Sequence, residues 1–145
     1  MSITTLYTAE AVSTGDGRNG HIATSDGRID LALAMPPALG GSGDGANPEQ
    51  LFAAGYAACF HSALRLVARQ ANADVTGSTV TARVSLGNEG ESLGLAVELG
   101  YHLPHVAPGA AEELARAAHR VCPYSRATRG NISVELHPVA SMPRA

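Results

Sequence analysis

A chain of 145 residues, 45% hydrophobic and 16% charged, has the length and composition of one globular domain with its own core. Its net charge of −3 and pI near 6.0 give no electrostatic footprint for nucleic acid or an anionic membrane. All ten basic residues are arginine, which excludes Schiff-base chemistry, since that needs a lysine amine.

In chain order, the N-terminal "MSITTLYTAEAV" lacks the basic-then-apolar pattern of a secretory signal. The longest apolar run, Leu51 to Phe60, is about half of a membrane span. Cytoplasm is the expected location, and residues 1–145 are read as a single domain. Tyr7 to Val12 is expected as the first strand. His21 to Ser25 and Arg28 to Ala34 flank Asp26-Gly27, a strong hairpin signal. The Gly-rich "LGGSGDGAN" (Leu39 to Asn47) lacks the Gly-Lys-Ser/Thr of a phosphate loop and reads as an adaptable connection.

A helix then opens. Asn47 is a cap, Pro48 suits the first helical position, and Gln50 completes a capping box. The helix is expected to reach about Ala71. From Leu51 to Ala58 it is apolar or small on every side, so it needs cover all round. One sheet cannot give that cover, and a second copy of the chain is the simplest source. A homodimer is therefore expected.

Alternation over Thr79 to Leu86 and over Leu93 to Leu103, joined by "GNEGE", predicts an antiparallel pair. A second helix is expected from Pro108 to Val121, with Pro123 ending it. Asn131 to His137 is the last expected strand, and the tail "ASMPRA" is expected to fray. The class is α+β: antiparallel strands with one wholly apolar helix and one amphipathic helix.

Two cysteines carry the chemical question. Cys59 and Cys122 are 63 positions apart, too far for a short-spaced zinc motif. In cytoplasm a structural disulfide is not expected, which leaves a redox pair or two fillers. Cys122 ends a helix, where the dipole disfavours an anion. Cys59 lies mid-helix in apolar surroundings that raise a thiol pKa. An ordinary cysteine is about 3% thiolate at pH 7, and lowering its pKa by two units takes roughly 2.7 kcal/mol. A nucleophilic Cys59 therefore needs a nearby cation. Arg18, in "GDGRNGH", sits on a short glycine-flanked loop that can carry it inward, or it is a solvated surface residue. Glu49, in the first turn of the apolar helix, can serve a site or merely favour the dipole.

The stretches "NPEQLFAAGYAACFHSAL" (Asn47 to Leu64) and "CPYSRATRGNISV" (Cys122 to Val134) resemble the two signature regions of the organic hydroperoxide resistance (Ohr) proteins of the OsmC-like superfamily. "GDGRNG", the Asp-Gly hairpin and the "LGG…NPEQ" approach match in the same order, so the resemblance covers nearly the whole chain. It implies a thiol-dependent peroxidase for organic hydroperoxides, in antioxidant defence. Cys59 matches the peroxidatic cysteine, Cys122 the resolving one, Arg18 the catalytic arginine and Glu49 its acidic partner. The implied fold is an intertwined homodimer with antiparallel sheets wrapped around central apolar helices. No bound cofactor or metal is implied; the reductant is a dihydrolipoyl group, as dihydrolipoamide or on a lipoylated protein. His61, Ser62 and Arg126 depart from the family pattern without touching these four positions.

Glu49 and Cys59 are ten residues apart on one helix, about 15 Å. Glu49, with Arg18, is therefore expected to serve the cysteine of the partner chain. A broader OsmC-type peroxidase, an apolar-ligand carrier and a metal protein are the rival readings. His102-Leu-Pro-His105 fits no tight zinc pattern, and His21 and His61 read as satisfied side chains.

Overall fold

The structure, a computed structural model, describes residues 2–140. All but the first residue of the "ASMPRA" tail lie outside that range. Two compact units emerge, Met1–Leu51 and Phe52–Ala145.

In the first unit, β1 (Ala11–Thr14), β2 (His21–Thr24) and β3 (Asp30–Ala32) form an antiparallel sheet in that order. The Asp-Gly hairpin is present. Gly27 takes a positive φ of 73°, and the Asp26 carboxylate accepts from the Arg28 amide and the Thr24 hydroxyl. β1 starts later than expected. It extends only where β2 offers a partner, from Ala11 opposite Thr24 to Thr14 opposite His21. Tyr7 is 80% exposed and joins no strand. The Gly-rich connection is pinned rather than adaptable. The Ala34 amide donates to Ala46 O and the Ala46 amide to Ala32 O, and a Cβ on Gly45 would lie 2.8 Å from Ala32 O.

Helix α1 (Pro48–Gln70) follows. Its capping box is reciprocal: the Gln50 amide donates to Asn47 Oδ1 at 2.9 Å, and the Asn47 amide to Gln50 Oε1 at 3.1 Å. Counted whole, α1 is long and apolar enough to cross a membrane, more than its longest apolar run indicates. Its buried side chains Tyr56, Phe60, Leu64 and Ala68 instead enter a protein core. Burying Phe60 or Leu64 contributes roughly 1.5–3 kcal/mol each.

In the second unit, β4 (Thr79–Glu89) and β5 (Ser92–His102) pair antiparallel along their full length. The two-residue loop Gly90-Glu91 connects them, with Gly90 at φ 61°. Helix α2 (Pro108–Val121) buries Ala111, Ala115 and Ala118, one stripe at helical spacing. These meet Val97, Leu99 and Tyr101 of β5 and the buried face of α1 in one core.

Further differences from the sequence reading lie in the second unit. Pro123 does end α2, but it also opens a short helix, α3 (Pro123–Thr128), because a missing N–H costs nothing at the first helical position. The last strand, β6 (Val134–Pro138), runs parallel to β5, with Val97 opposite Val134. The second sheet is therefore mixed, not wholly antiparallel. Parallel neighbours need a crossover, and α2 with α3 supplies it.

Candidate functional site

The first unit contributes an ion pair. Gly15 and Gly17 take positive φ angles, and the backbone turns through a single 3-10 turn, Gly17–Asn19, between β1 and β2. A Cβ on Gly20 would lie 2.1 Å from Thr14 O, so the turn closes only over glycine. Asn19 Oδ1 accepts from the Met35 amide at 3.0 Å and ties the loop to the approach of α1. The guanidinium of Arg18 then meets Glu49 with both forks: Nη1 to Oε1 at 2.7 Å and Nη2 to Oε2 at 3.3 Å. The hydrogen bond to Glu49 raises the Arg18 pKa further, so this group is a permanent cation held in a fixed plane. Arg18 and Glu49, 31 positions apart, are thus brought together within the first unit.

The second unit contributes the sulfurs. Cys59 is half-buried on α1, and Cys122 is fully buried at the junction of α2 and α3. Their sulfurs lie 3.5 Å apart, with Cys122 donating to Cys59. Both are free thiols. Burial raises the Cys59 pKa, the Tyr124 backbone amide opposes this, and the Cys122 thiol adds to it. None of these influences is a cation, so Cys59 in the single chain is a poor thiolate.

Cys122 is more than a helix C-terminus. It also caps the N-terminal end of α3, and its carbonyl accepts from the Arg126 amide at 3.0 Å. Through α3 the chain places Tyr124 across α1. Gly55 makes room for it: a Cβ there would lie 3.0 Å from the Tyr124 hydroxyl. Tyr124 stacks edge-on to Phe52 at 6.4 Å, with Tyr56 at 5.7 Å.

Sequence reasoning missed the polar cluster behind the sulfurs. Tyr56 Oη lies 2.8 Å from Ser125 Oγ and 3.1 Å from Thr128 Oγ1, and His119 Nδ1 lies 2.7 Å from Ser125 Oγ. A tyrosine in the middle of an apolar helix was the available signal, since a buried hydroxyl requires a partner. His61 is satisfied by Ser78 at 2.9 Å and His21 by Asp30 at 2.7 Å. Among the described residues no group of three or more His, Cys, Asp or Glu is placed to hold a metal ion.

A family model described as OsmC-like protein matches residues 41–137. The chain belongs to the OsmC-like family. Within it, the chain is 47% identical over 133 residues to an organic hydroperoxide resistance protein of Xanthomonas axonopodis pv. citri, covering 90% of this chain and 93% of that one. It is 44% identical to organic hydroperoxide resistance protein OhrB of Bacillus subtilis, covering 90% and 96%. A crystal structure of an organic hydroperoxide resistance protein from Legionella pneumophila superposes with a TM-score of 0.88 at 47% identity, covering 96% of this chain and all of that one. The α+β architecture with two small sheets is that of this OsmC-like group.

Proposed function

We propose that this OsmC-like protein is a cysteine-dependent organic hydroperoxide reductase that detoxifies peroxides as a homodimer. The observation that carries the reading is the 3.5 Å approach of two free thiols, one half-buried and one fully buried. The names of its relatives supply the substrate class.

The Cys59 thiolate attacks the distal oxygen of the hydroperoxide. An S–O bond forms, the O–O bond breaks, and the alkoxide takes a proton to leave as alcohol. Cys59 is then a sulfenic acid. Cys122 attacks that sulfur, an S–S bond forms, and the oxygen leaves as water with the thiol proton. A dithiol of the dihydrolipoyl class exchanges with the disulfide, restores both thiols and is itself oxidised. Phe52 and Tyr124 form an apolar wall on the Cys59 face of α1, which favours fatty or aryl hydroperoxides over hydrogen peroxide.

The cation comes from a second copy of the chain. Cys59 has no cationic influence in the single chain, and Arg18 is already paired by Glu49. Glu49 and Cys59 are separated by about 15 Å of helix. The surfaces that need cover agree: Ala54 and Ala58 of α1 are exposed, and Val12, Ile29 and Leu31 of the first unit are 57%, 42% and 38% exposed. In the dimer, Arg18 of one chain stabilises the Cys59 thiolate of the other, and Glu49 orients the guanidinium.

Reduced protein mixed with one equivalent of cumene hydroperoxide tests the reading. Both thiols of each chain should disappear as cumyl alcohol forms. Alcohol formation without thiol loss, or no alcohol at all, would contradict it.

A further inference from the structure

The hydroxyl cluster behind the sulfurs has a defined direction. Thr128 Oγ1 donates to the Ser125 carbonyl at 3.2 Å, which uses its only proton. Thr128 must then accept from Tyr56, so the Tyr56 hydroxyl points at Oγ1, 3.1 Å away. Tyr56 has no second proton for Ser125, so Ser125 donates to Tyr56 across 2.8 Å. Ser125 in turn must accept from His119, whose Nδ1 therefore carries hydrogen at 2.7 Å. Each donor is used once, and Tyr56, Ser125 and Thr128 are all buried.

We propose that His119, Ser125, Tyr56 and Thr128 form a one-way hydrogen-bond relay that locks α3 to α1 and α2 and so positions Cys122 for attack on oxidised Cys59. This rests on the peroxidase reading above. The relay spans all three elements that meet at the sulfurs. Tyr56 precedes Cys59 by less than one turn of α1, His119 precedes Cys122 by about one turn of α2, and Ser125 and Thr128 lie on α3. Arg129 Nη1 donates to the His119 carbonyl at 2.9 Å and closes the far side. Burial lowers the His119 pKa and Arg129 lowers it further, which favours the neutral ring, and the hydrogen bond to Ser125 selects its Nδ1–H tautomer. These are positioning residues: none touches a sulfur through the relay, and the first attack by Cys59 does not need them.

The test separates the two chemical steps. Reduced wild type, Tyr56→Phe and Ser125→Ala are mixed with one equivalent of cumene hydroperoxide. Hydroperoxide loss reports the first step, and decay of dimedone-reactive sulfenic acid reports disulfide formation. Each substitution removes two relay hydrogen bonds and should slow disulfide formation by about tenfold or more while leaving the first step unchanged. An unchanged second step, or equal slowing of both, would overturn the proposal. Nitrogen NMR of the wild-type histidines provides a readout that does not depend on the variants folding. His119 should show a protonated Nδ1 and a bare Nε2, and the opposite tautomer would overturn the relay. Wild type that consumes no hydroperoxide would contradict the peroxidase reading itself, and the tautomer would still decide the relay.

Discussion

Cys122 Sγ lies 3.5 Å from Cys59 Sγ, although the two residues are 63 positions apart and on different helices. A disulfide needs about 2.05 Å, so closing the pair takes a sulfur movement of about 1.5 Å, within reach of side-chain rotation. Mild oxidation should therefore join Cys59 and Cys122 within one chain. Peptide mapping without reductant should recover the two linked peptides. In Cys122→Ser the same oxidation should stop at a sulfenic acid on Cys59. Recovery of only interchain disulfides would contradict the expected resolving step.

The bidentate pair of Arg18 and Glu49 gives the second prediction. If Arg18 of the partner chain holds Cys59 ionised, Arg18→Ala should raise the apparent Cys59 pKa. Once that pKa lies above 7, each further unit of increase lowers the thiolate fraction at pH 7 by about tenfold. The pH dependence of Cys59 alkylation measures this directly. Arg18→Lys should recover only part of the loss, because an ammonium cannot reproduce the planar fork. An unchanged alkylation profile in Arg18→Ala would remove the arginine from the account.

Much of this arrangement was legible in the sequence. Asn47, Pro48 and Gln50 set the start of α1 through local hydrogen bonds, so the sequence reading placed that start correctly. The alternating pattern of β4 and β5 and the bounds of α2 were equally local. Strand direction is not local. Ile132, Val134 and Leu136 alternate in the same way whichever way β6 runs, so its parallel pairing with β5 was invisible. Pro123 was read as a terminator, but proline both ends one helix and starts another, and only the packing of Ser125 and Thr128 decides for α3. The 3.5 Å approach of Cys59 and Cys122 depends on that packing and could not be read from spacing.

Gly20 supports the loop that carries Arg18. A Cβ there would collide with the Thr14 carbonyl at 2.1 Å, a backbone atom that cannot swing away. Gly20→Ala should cost roughly 1–3 kcal/mol by forcing the β1–β2 connection apart. Thermal unfolding should show the loss, and hydroperoxide turnover should fall with it as Arg18 is displaced. A variant with wild-type stability and rate would show that the turn tolerates a side chain.

Acid should destabilise the fold through its half-buried histidines, His61 and His119. Burial lowers the pKa of both His61 and His119, with Arg65 and Arg129 adding to the effect. Between their folded pKa values and about 6.5 the unfolded chain binds more protons than the folded one, so stability rises with pH there. It should be complete above about pH 6.5 and decline on acidification below it. Urea unfolding at several pH values measures the slope. Replacing His61 with Gln should flatten it, and an unchanged slope would exclude that histidine as a contributor.

Cys59 should reduce organic hydroperoxides, and Cys122 should allow turnover with a dithiol donor. Steady-state consumption of cumene hydroperoxide with dihydrolipoamide, by wild type, Cys59→Ser and Cys122→Ser, tests it most directly. Wild type should turn over continuously, and Cys59→Ser should consume nothing while unfolding like wild type. Cys122→Ser should lose disulfide-dependent turnover after its first equivalent. Full turnover by folded Cys59→Ser would contradict the account.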